Sequence, residues 1–573
     1  MKLIFKYLRP LARTMAFGLS IKVLATVFEL FLPYILSYIL DTVVPRGEVL
    51  PILLWGGAMI LAAFAAMIGN IIANRNAAKV AREASRSIRR DLFAATMRLS
   101  SRETDAFTVP SLESRLTSDT YNVHHFVGMI QRIGVRAPIL LFGGMAITLF
   151  LDRRLSLVLI AVLPLIGASV FLITRKGLPL YKNTQKAVDG MVRIVREDCG
   201  GVRVIKALSK EDYESRRFDK ANKHLAACER RAGVTMAASQ PLMNLFLNLG
   251  LVGVILVGAY YVNKNLSSPG RIIAFIQYFT IMSGAMTVIT RIFVNSTKSA
   301  ASANRIAEVL ASAASDRAPT GEDIPAALAD SHIVFDKVSF SYNGKRDNLS
   351  NISFALPRGG TLGVIGATGS GKTTLTALLM RFYDADSGNI YIDGKDICSI
   401  EKKTLREMFG VVMQNDFIIA DTVAENIRFG RKISDEAVRR AARLAQAADF
   451  IESFAEGYEH QLTAKGTNVS GGQRQRILIA RALAGAPEIL ILDDASSALD
   501  YKTDAALRRA IREEMHTTTV VVAQRVSSVM HANRILVLDG GKIIGAGTHD
   551  ELLASCPTYK EISDSQMGGA FLE

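Results

Sequence analysis

Residues 366–373 read Gly366-Ala-Thr-Gly-Ser-Gly-Lys372-Thr373. The stretch fits G-x-x-x-x-G-K-[ST], follows an apolar run at 362–365 and precedes a helix-like run at 374–382. A strand before and a helix after are the context the pattern requires. Gly366, Gly369 and Gly371 let backbone N–H groups wrap the phosphates of a nucleotide, and the helix N-terminus adds positive potential. Thr368, Ser370 and Thr374 are the other phosphate-side residues. Lys372 reaches the β- and γ-phosphates, and Thr373 offers a hydroxyl to magnesium.

Two further motifs lie downstream. In Ile489-Leu-Ile-Leu-Asp493, four apolar residues make a buried strand, and Asp493 at its end can hold the same magnesium from the opposite side. Val469-Ser470-Gly471-Gly472-Gln473 opens a helical run at 474–483 and is a second anion site. One domain does not need two phosphate sites for one nucleotide. The economical reading is that the second site caps a nucleotide bound on another copy of the domain. Strand-like runs at 332–340, 361–365, 389–392, 488–492, 518–522 and 534–538 alternate with helical stretches, which predicts an α/β domain.

Upstream the chain changes character. A membrane-spanning helix needs about 20 mostly apolar residues. Six stretches qualify: 15–40, 51–73, 133–151, 155–174, 241–262 and 272–294. The first is too long for a signal h-region and no cleavage pattern follows it, so it reads as a retained span. Short joins link the spans in pairs, at 41–50, 152–154 and 263–271, while the connections at 74–132 and 175–240 are long and polar. The first long connection carries Arg75, Lys79, Arg82, Arg86, Arg89 and Arg90, and Lys2, Lys6, Arg9 and Arg13 precede the first span. Basic residues collect on the cytoplasmic side of span ends. Both long connections and both termini are therefore expected in the cytoplasm, with long helices running out of the bilayer, turning and running back. Lys22 and Glu29 lie seven apart on one face of the first span. A mid-bilayer charge costs about 2.5–3.5 kcal/mol on insertion scales, so the pair either lines a cavity, or Lys22 snorkels to headgroups and Glu29 makes a structural bond.

Composition agrees with a membrane protein. Of 573 residues, 49% are hydrophobic and 21% charged. Disordered chains are charge-rich and poor in apolar residues, so disorder is excluded as the main state. Four cysteines exclude a disulfide scaffold, and all of them fall in segments expected to be cytoplasmic. The net charge of +15 invites a nucleic-acid reading. Six spans argue against it, and the basic residues flank spans without forming an aromatic-interleaved patch. No nucleic-acid partner is expected.

Taken together, these residues resemble those of an ABC transporter of the exporter architecture in half-size form. Ser470-Gly-Gly-Gln473 between the two nucleotide motifs is specific to that family. The resemblance implies a multi-domain chain. An all-α six-helix transmembrane domain (1–310) and a linker (311–331) precede an α/β P-loop nucleotide-binding domain (332–573). By the same resemblance Tyr342 looks like the aromatic that stacks on adenine, Gln414 like the glutamine that reaches magnesium and the attacking water, and Ser497-Ala-Leu-Asp500 like the D-loop. Pro110-Ser-Leu-Glu-Ser-Arg115-Leu-Thr-Ser-Asp119 is similar to the first intracellular loop, and 197–218 to the second. In the family such loops end in coupling helices that dock on nucleotide domains. Two nucleotide domains sandwich two ATP molecules, each between one chain's phosphate loop and the other's signature turn. The implied cofactors are ATP and magnesium. The implied partners are a second half-transporter, membrane lipid and a small-molecule or amphipathic cargo. Multidrug, lipid and peptide exporters share the architecture, as does a siderophore-like importer. An ATP-gated regulator or channel would be expected to carry a long regulatory insertion, and none is present.

Two departures from the family pattern matter. The position after Asp493 usually holds the glutamate that polarises the attacking water, and here it holds Asp494. The switch strand usually carries histidine, and here it carries Gln524. Aspartate sets its carboxylate back by about 1.5 Å, one carbon–carbon bond. A misplacement of about 1 Å can cost on the order of 10²-fold in rate. Glutamine hydrogen-bonds but cannot become a cation beside developing charge. A lesser departure is Ala464, where many exporters carry glutamate. With Lys372, Thr373, Asp493 and the signature intact, the expected protein binds ATP at its own site, hydrolyses it slowly, and serves a partner's site. That resembles one subunit of a heterodimer, with a homodimer of two slow sites as the alternative.

Overall fold

The computed structural model describes residues 1–312, 331–414, 416–495 and 498–567. It contains two compact units, one formed by Met1–Arg98 with Phe107–Ala314, the other by Leu99–Ala106 with Ser315–Glu573.

The first unit is helical. Six helices are long and apolar enough to cross a membrane, in the segments expected from hydropathy. Helix Val49–Arg98 has 50 residues and Arg153–Ala207 has 55. At about 1.5 Å per residue they are about 75 and 83 Å long, more than twice the ~30 Å of a hydrocarbon core. The long polar connections are thus largely continuations of the spanning helices. Helix Arg153–Ala207 starts where Asp152 accepts from the backbone N–H of Arg154 and Leu155. The join expected at 41–50 is mostly helical in fact. The chain stays in helical turns to Arg46, Gly47 reverses it at a φ of 71°, and the next helix starts at Val49. The last helix, Pro269–Ser312, runs two residues past the expected boundary at 310. The rest of the expected linker, from 313 to 330, lies outside the described residues.

Leu30, Leu155, Leu159, Phe275, Phe279 and Met282 form the core of this unit. Tyr278 is fully buried and donates its hydroxyl to the Leu30 carbonyl at 2.6 Å. Outside, Leu53, Leu54, Leu61, Phe142 and Phe150 are exposed, as side chains facing lipid must be.

The stretch 110–119, similar in sequence to a first intracellular loop, belongs to the helical unit. Asp119 is buried and paired with Arg305, and Arg115 is paired with Glu308, so both residues are clamped to the last helix. The segment that packs with the α/β unit is Leu99–Ala106, where Tyr383 donates to Asp105 at 2.5 Å.

The α/β unit holds two sheets. Strands β1 (Ile333–Phe340), β2 (Leu349–Leu356), β3 (Thr361–Gly366), β4 (Ser387–Ile392), β5 (Lys395–Asp396), β6 (Phe409–Val412), β7 (Ile489–Asp493), β8 (Thr518–Val522), β9 (Arg534–Asp539) and β10 (Lys542–Gly547) occur in that order. The order in space is β2-β1-β4-β5 in one sheet and β10-β9-β3-β8-β7-β6 in the other. From β9 to β6 every pairing in the second sheet is parallel. Strands β7 and β8 are buried at every position, as a parallel sheet covered on both faces should be. Ile491→Ala, at a fully buried position of β7, should cost about 2–5 kcal/mol and lower the melting temperature of this unit. Thermal unfolding of the purified protein checks it; an unchanged melting temperature contradicts the packing described.

Candidate functional site: a nucleotide cleft

The parallel strands of the second sheet bring their C-terminal ends to one edge, where open α/β sheets bind ligands. β3 leads into the phosphate loop, β6 into Gln414, β7 into Asp493 and Asp494, and β8 into Gln524. Register fixes their relation: Val364 pairs with Val522, and Asp493 also pairs with Val522. The result is a cleft of about 190 Å³ lined by Thr368, Gly369, Lys372, Thr373, Gln414, Asp493, Asp494 and Gln524 among others.

Gly371 is the N-cap of helix Lys372–Leu379 at a φ of 102°. A Cβ there would lie 2.6 Å from Leu349 Cδ2 and 2.8 Å from the Asn348 carbonyl, so both the φ and the space require glycine. Lys372 Nζ donates to the carbonyls of Gly366 at 2.9 Å and Ala367 at 2.8 Å. Burial lowers the pKa of this ammonium, and Asp493 and Asp494 oppose that shift.

Asp493 is 3% exposed, and its Oδ2 is buried with no hydrogen-bond partner among the described residues. Burial raises its carboxyl above the usual range, with Thr373 opposing through a hydrogen bond. An orphaned carboxylate oxygen is costly unless something satisfies it. Beside it the cleft offers the Thr373 hydroxyl and the Gln414 amide. This all-oxygen set fits a hard divalent cation that keeps several waters.

Asp494 and Gln524 face each other across the cleft. Gln524 Nε2 donates to Asp494 Oδ2 at 3.4 Å. Asp494 sits in left-handed backbone, φ 53°, which aspartate tolerates. Burial raises its carboxyl above the usual range, while Lys372 and then Arg525 oppose the shift.

Two family models match the sequence, the ABC transporter transmembrane region over 15–286 and the ABC transporter model over 349–497. The chain belongs to the ABC transporter family. It is 33% identical over 564 residues to the ABC transporter ATP-binding protein YfiB of Bacillus subtilis (strain 168), covering 98% of each chain. It is 32% identical over 574 residues to Rv1273c of Mycobacterium tuberculosis (strain ATCC 25618 / H37Rv), again covering 98% of each. Among solved structures it resembles a bacterial Atm1-family ABC exporter with ATP bound, with a TM-score of 0.80 and 25% identity over 97% of this chain and 98% of that one. The protein is thus a multi-pass membrane transporter of exporter-type fold. Its ATP-binding domain is an ATPase coupled to transport, and its half-transporter form implies dimerisation.

Not every expected residue of this ABC transporter lines the cleft. Ser470, Gly471, Gly472 and Gln473 are not among its lining residues. They start helix Gly471–Leu483 through a capping box. Ser470 N–H donates to Gln473 Oε1 at 2.9 Å, and Gln473 N–H donates to Ser470 Oγ at 3.2 Å. Asp500 is also outside the cleft, capping helix Tyr501–Glu514 through the Thr503 N–H. Ser497 lies outside the described residues. Tyr342 is exposed and held edge-on by Phe340 and Tyr383, with its hydroxyl 3.3 Å from Thr374 Oγ1 at the cleft. The Ser370 hydroxyl is buried without a partner among the described residues and does not line the cleft. Asn348 does line it and was not singled out by sequence, because no motif surrounds it.

Removing the Lys372 ammonium deletes charge-assisted bonds worth about 1.5–3 kcal/mol. Lys372→Ala should therefore weaken ATP binding at this chain's own site by about 10- to 100-fold. Equilibrium binding of a fluorescent ATP analogue checks it, and unchanged affinity would remove Lys372 from the phosphate site.

Proposed function

We propose that the chain is one subunit of a heterodimeric ATP-driven exporter for small-molecule or amphipathic cargo, built as a membrane domain (1–310), a linker (311–331) and a nucleotide-binding domain (332–573). Its own cleft binds ATP and hydrolyses it slowly, and its signature turn completes the partner's hydrolytic site. The observation that carries this reading is the Asp494–Gln524 contact, at 3.4 Å, where the family places a glutamate and a histidine. Both termini and the long polar extensions lie on the cytoplasmic side.

In this reading the phosphate-loop N–H groups and Lys372 hold the triphosphate. Thr373, Asp493 and Gln414 would hold magnesium, which when bound neutralises charge on the β- and γ-phosphate oxygens. Asp494 is then the group left to orient the attacking water. Its carboxylate is one methylene short, and the amide of Gln524 competes for one of its oxygens. Gln524 supplies a neutral donor where a cation would stabilise developing charge. The phosphate-binding parts are untouched by either change, so binding survives while turnover falls. Closing of a two-chain sandwich follows from ATP binding the closed state better than the open one.

The chain purified alone in lipid should bind ATP and barely turn it over. The double change Asp494→Glu with Gln524→His should raise its ATPase rate on the order of 10²-fold. Ordinary exporter turnover by the unaltered chain, or no gain in the double variant, would leave a homodimer as the reading.

Ser470 is exposed at a helix start, and in this reading it meets a γ-phosphate held by the partner chain. Ser470→Ala should abolish hydrolysis by the co-purified pair while leaving ATP binding to this chain's own loop intact. Undiminished turnover of the pair would mean that this turn does not face the active site.

A further inference from the structure

Four basic side chains from three spanning segments converge on one cavity inside the helical unit. Lys22 comes from helix Ala12–Tyr38 and Arg291 from helix Pro269–Ser312, while Arg132, in the π-helical stretch Ile130–Gly134, and Arg136, in helix Arg136–Leu151, share the span Val109–Leu151. Together with Asn70 and Asn74 they line a space of about 510 Å³.

The charges are poorly compensated. Lys22 is 4% exposed, and its ammonium donates to Asn70 Oδ1 at 2.6 Å and Asn74 Oδ1 at 3.2 Å, both neutral acceptors. Arg132 Nε donates to the Gly128 carbonyl at 3.0 Å, again neutral. Among the described residues the one carboxylate paired with this group is Glu29, which takes Arg136. The sequence left two readings open for Lys22 and Glu29, and the structure divides them. Glu29 makes the structural bond, but Lys22 does not snorkel. A snorkelling lysine keeps its head in water or among headgroups, whereas this one is buried at a cavity wall.

A second cavity of about 280 Å³ shares Ile133 and Arg136 with the first. Its wall is mostly apolar, with Leu140, Ile281, Ala285 and Val288; its polar members are Thr280 and the Glu29–Arg136 pair, in which Arg136 offsets the carboxylate. A chamber with excess positive charge thus adjoins a greasy one, and Arg136 stands at the wall between them.

We infer that this pair of cavities is a binding site for an amphipathic anion, its phosphate, carboxylate or sulfonate head among Lys22, Arg132, Arg136 and Arg291 and its apolar body against Leu140, Ile281 and Val288. Arginine forks match such oxyanions, and charge-assisted bonds of this kind are the strong ones. A cationic head meets like charge and is rejected. The inference rests on the reading of the helical unit as a transport pathway, since that makes the bound anion cargo.

The test uses the full-length protein in phosphatidylcholine nanodiscs, without ATP, titrated with lysophosphatidic acid and with lysophosphatidylcholine of the same acyl chain. Lysophosphatidic acid should bind at least about tenfold more tightly. The double variant Arg132→Gln/Arg291→Gln, which leaves Lys22 and the Glu29–Arg136 pair in place, should erase that preference and keep the weak binding of lysophosphatidylcholine. Equal affinity for the two heads, or a preference that survives the double variant, overturns the inference. A further arm with 8-anilinonaphthalene-1-sulfonate separates the sources. Binding of the lipid alone assigns a lipid headgroup, and binding of both assigns amphipathic anions at large; either supports the inference. Displacement by millimolar inorganic phosphate would show that no apolar body is needed and would overturn it. Tight anion binding with no ATP-driven movement of lysophosphatidic acid in paired vesicles would refute the transport reading and leave the site standing.

Discussion

The parallel pairing of β3 with β8, and of β8 with β7, is the constraint on which the nucleotide chemistry depends. Parallel neighbours end on the same side, so residues more than 100 positions apart in sequence are delivered to one edge by backbone hydrogen bonds. Complete burial of β7 and β8 holds that register, because a slip would break close-packed contacts on both covered faces. The phosphate loop supplies donors on one side of the edge and Asp493 supplies an acceptor on the other. Neither does the work alone. A glycine loop without Asp493 has nowhere to set a cation, and Asp493 without the loop is a buried carboxylate with an unmet oxygen.

Adjacent aspartates at the end of β7 have different roles because their surroundings differ. Asp493 is enclosed, hydrogen-bonded by Thr373, and keeps one oxygen free for a ligand. Asp494 turns into left-handed backbone, is half-buried, and meets Gln524. In the proposed reading, substitution at 494 and 524 alters the water-handling side of the cleft and leaves the phosphate-holding side as it was. That reading makes binding and turnover separable, because it rests them on different atoms.

Much of this was legible in the sequence where a local pattern forces a local shape. The run of apolar residues in each span, the glycine loop between strand and helix, and Ser470 three residues ahead of Gln473 all declare themselves within a few positions. Strands β2, β5, β6 and β10 were missed, β5 having only two residues. β2 carries Ser350 and Asn351, with Asn351 at a φ of 53°, so its alternation is broken; β6 has four residues; β10 holds two glycines at a sheet edge. The pairing of Asp119 with Arg305 and of Arg115 with Glu308 was not legible, because the partners lie almost 200 residues away and leave no trace in the spelling of 110–119.

The capping box at Ser470 has one further consequence. Its two reciprocal bonds use only residues of this chain, so the turn is already shaped in a solitary subunit. Ordering a loop at the moment of association would subtract from the affinity of the assembled state. A turn that is rigid beforehand spares that loss. More of the free energy released when a nucleotide is gripped from both sides then remains to do mechanical work.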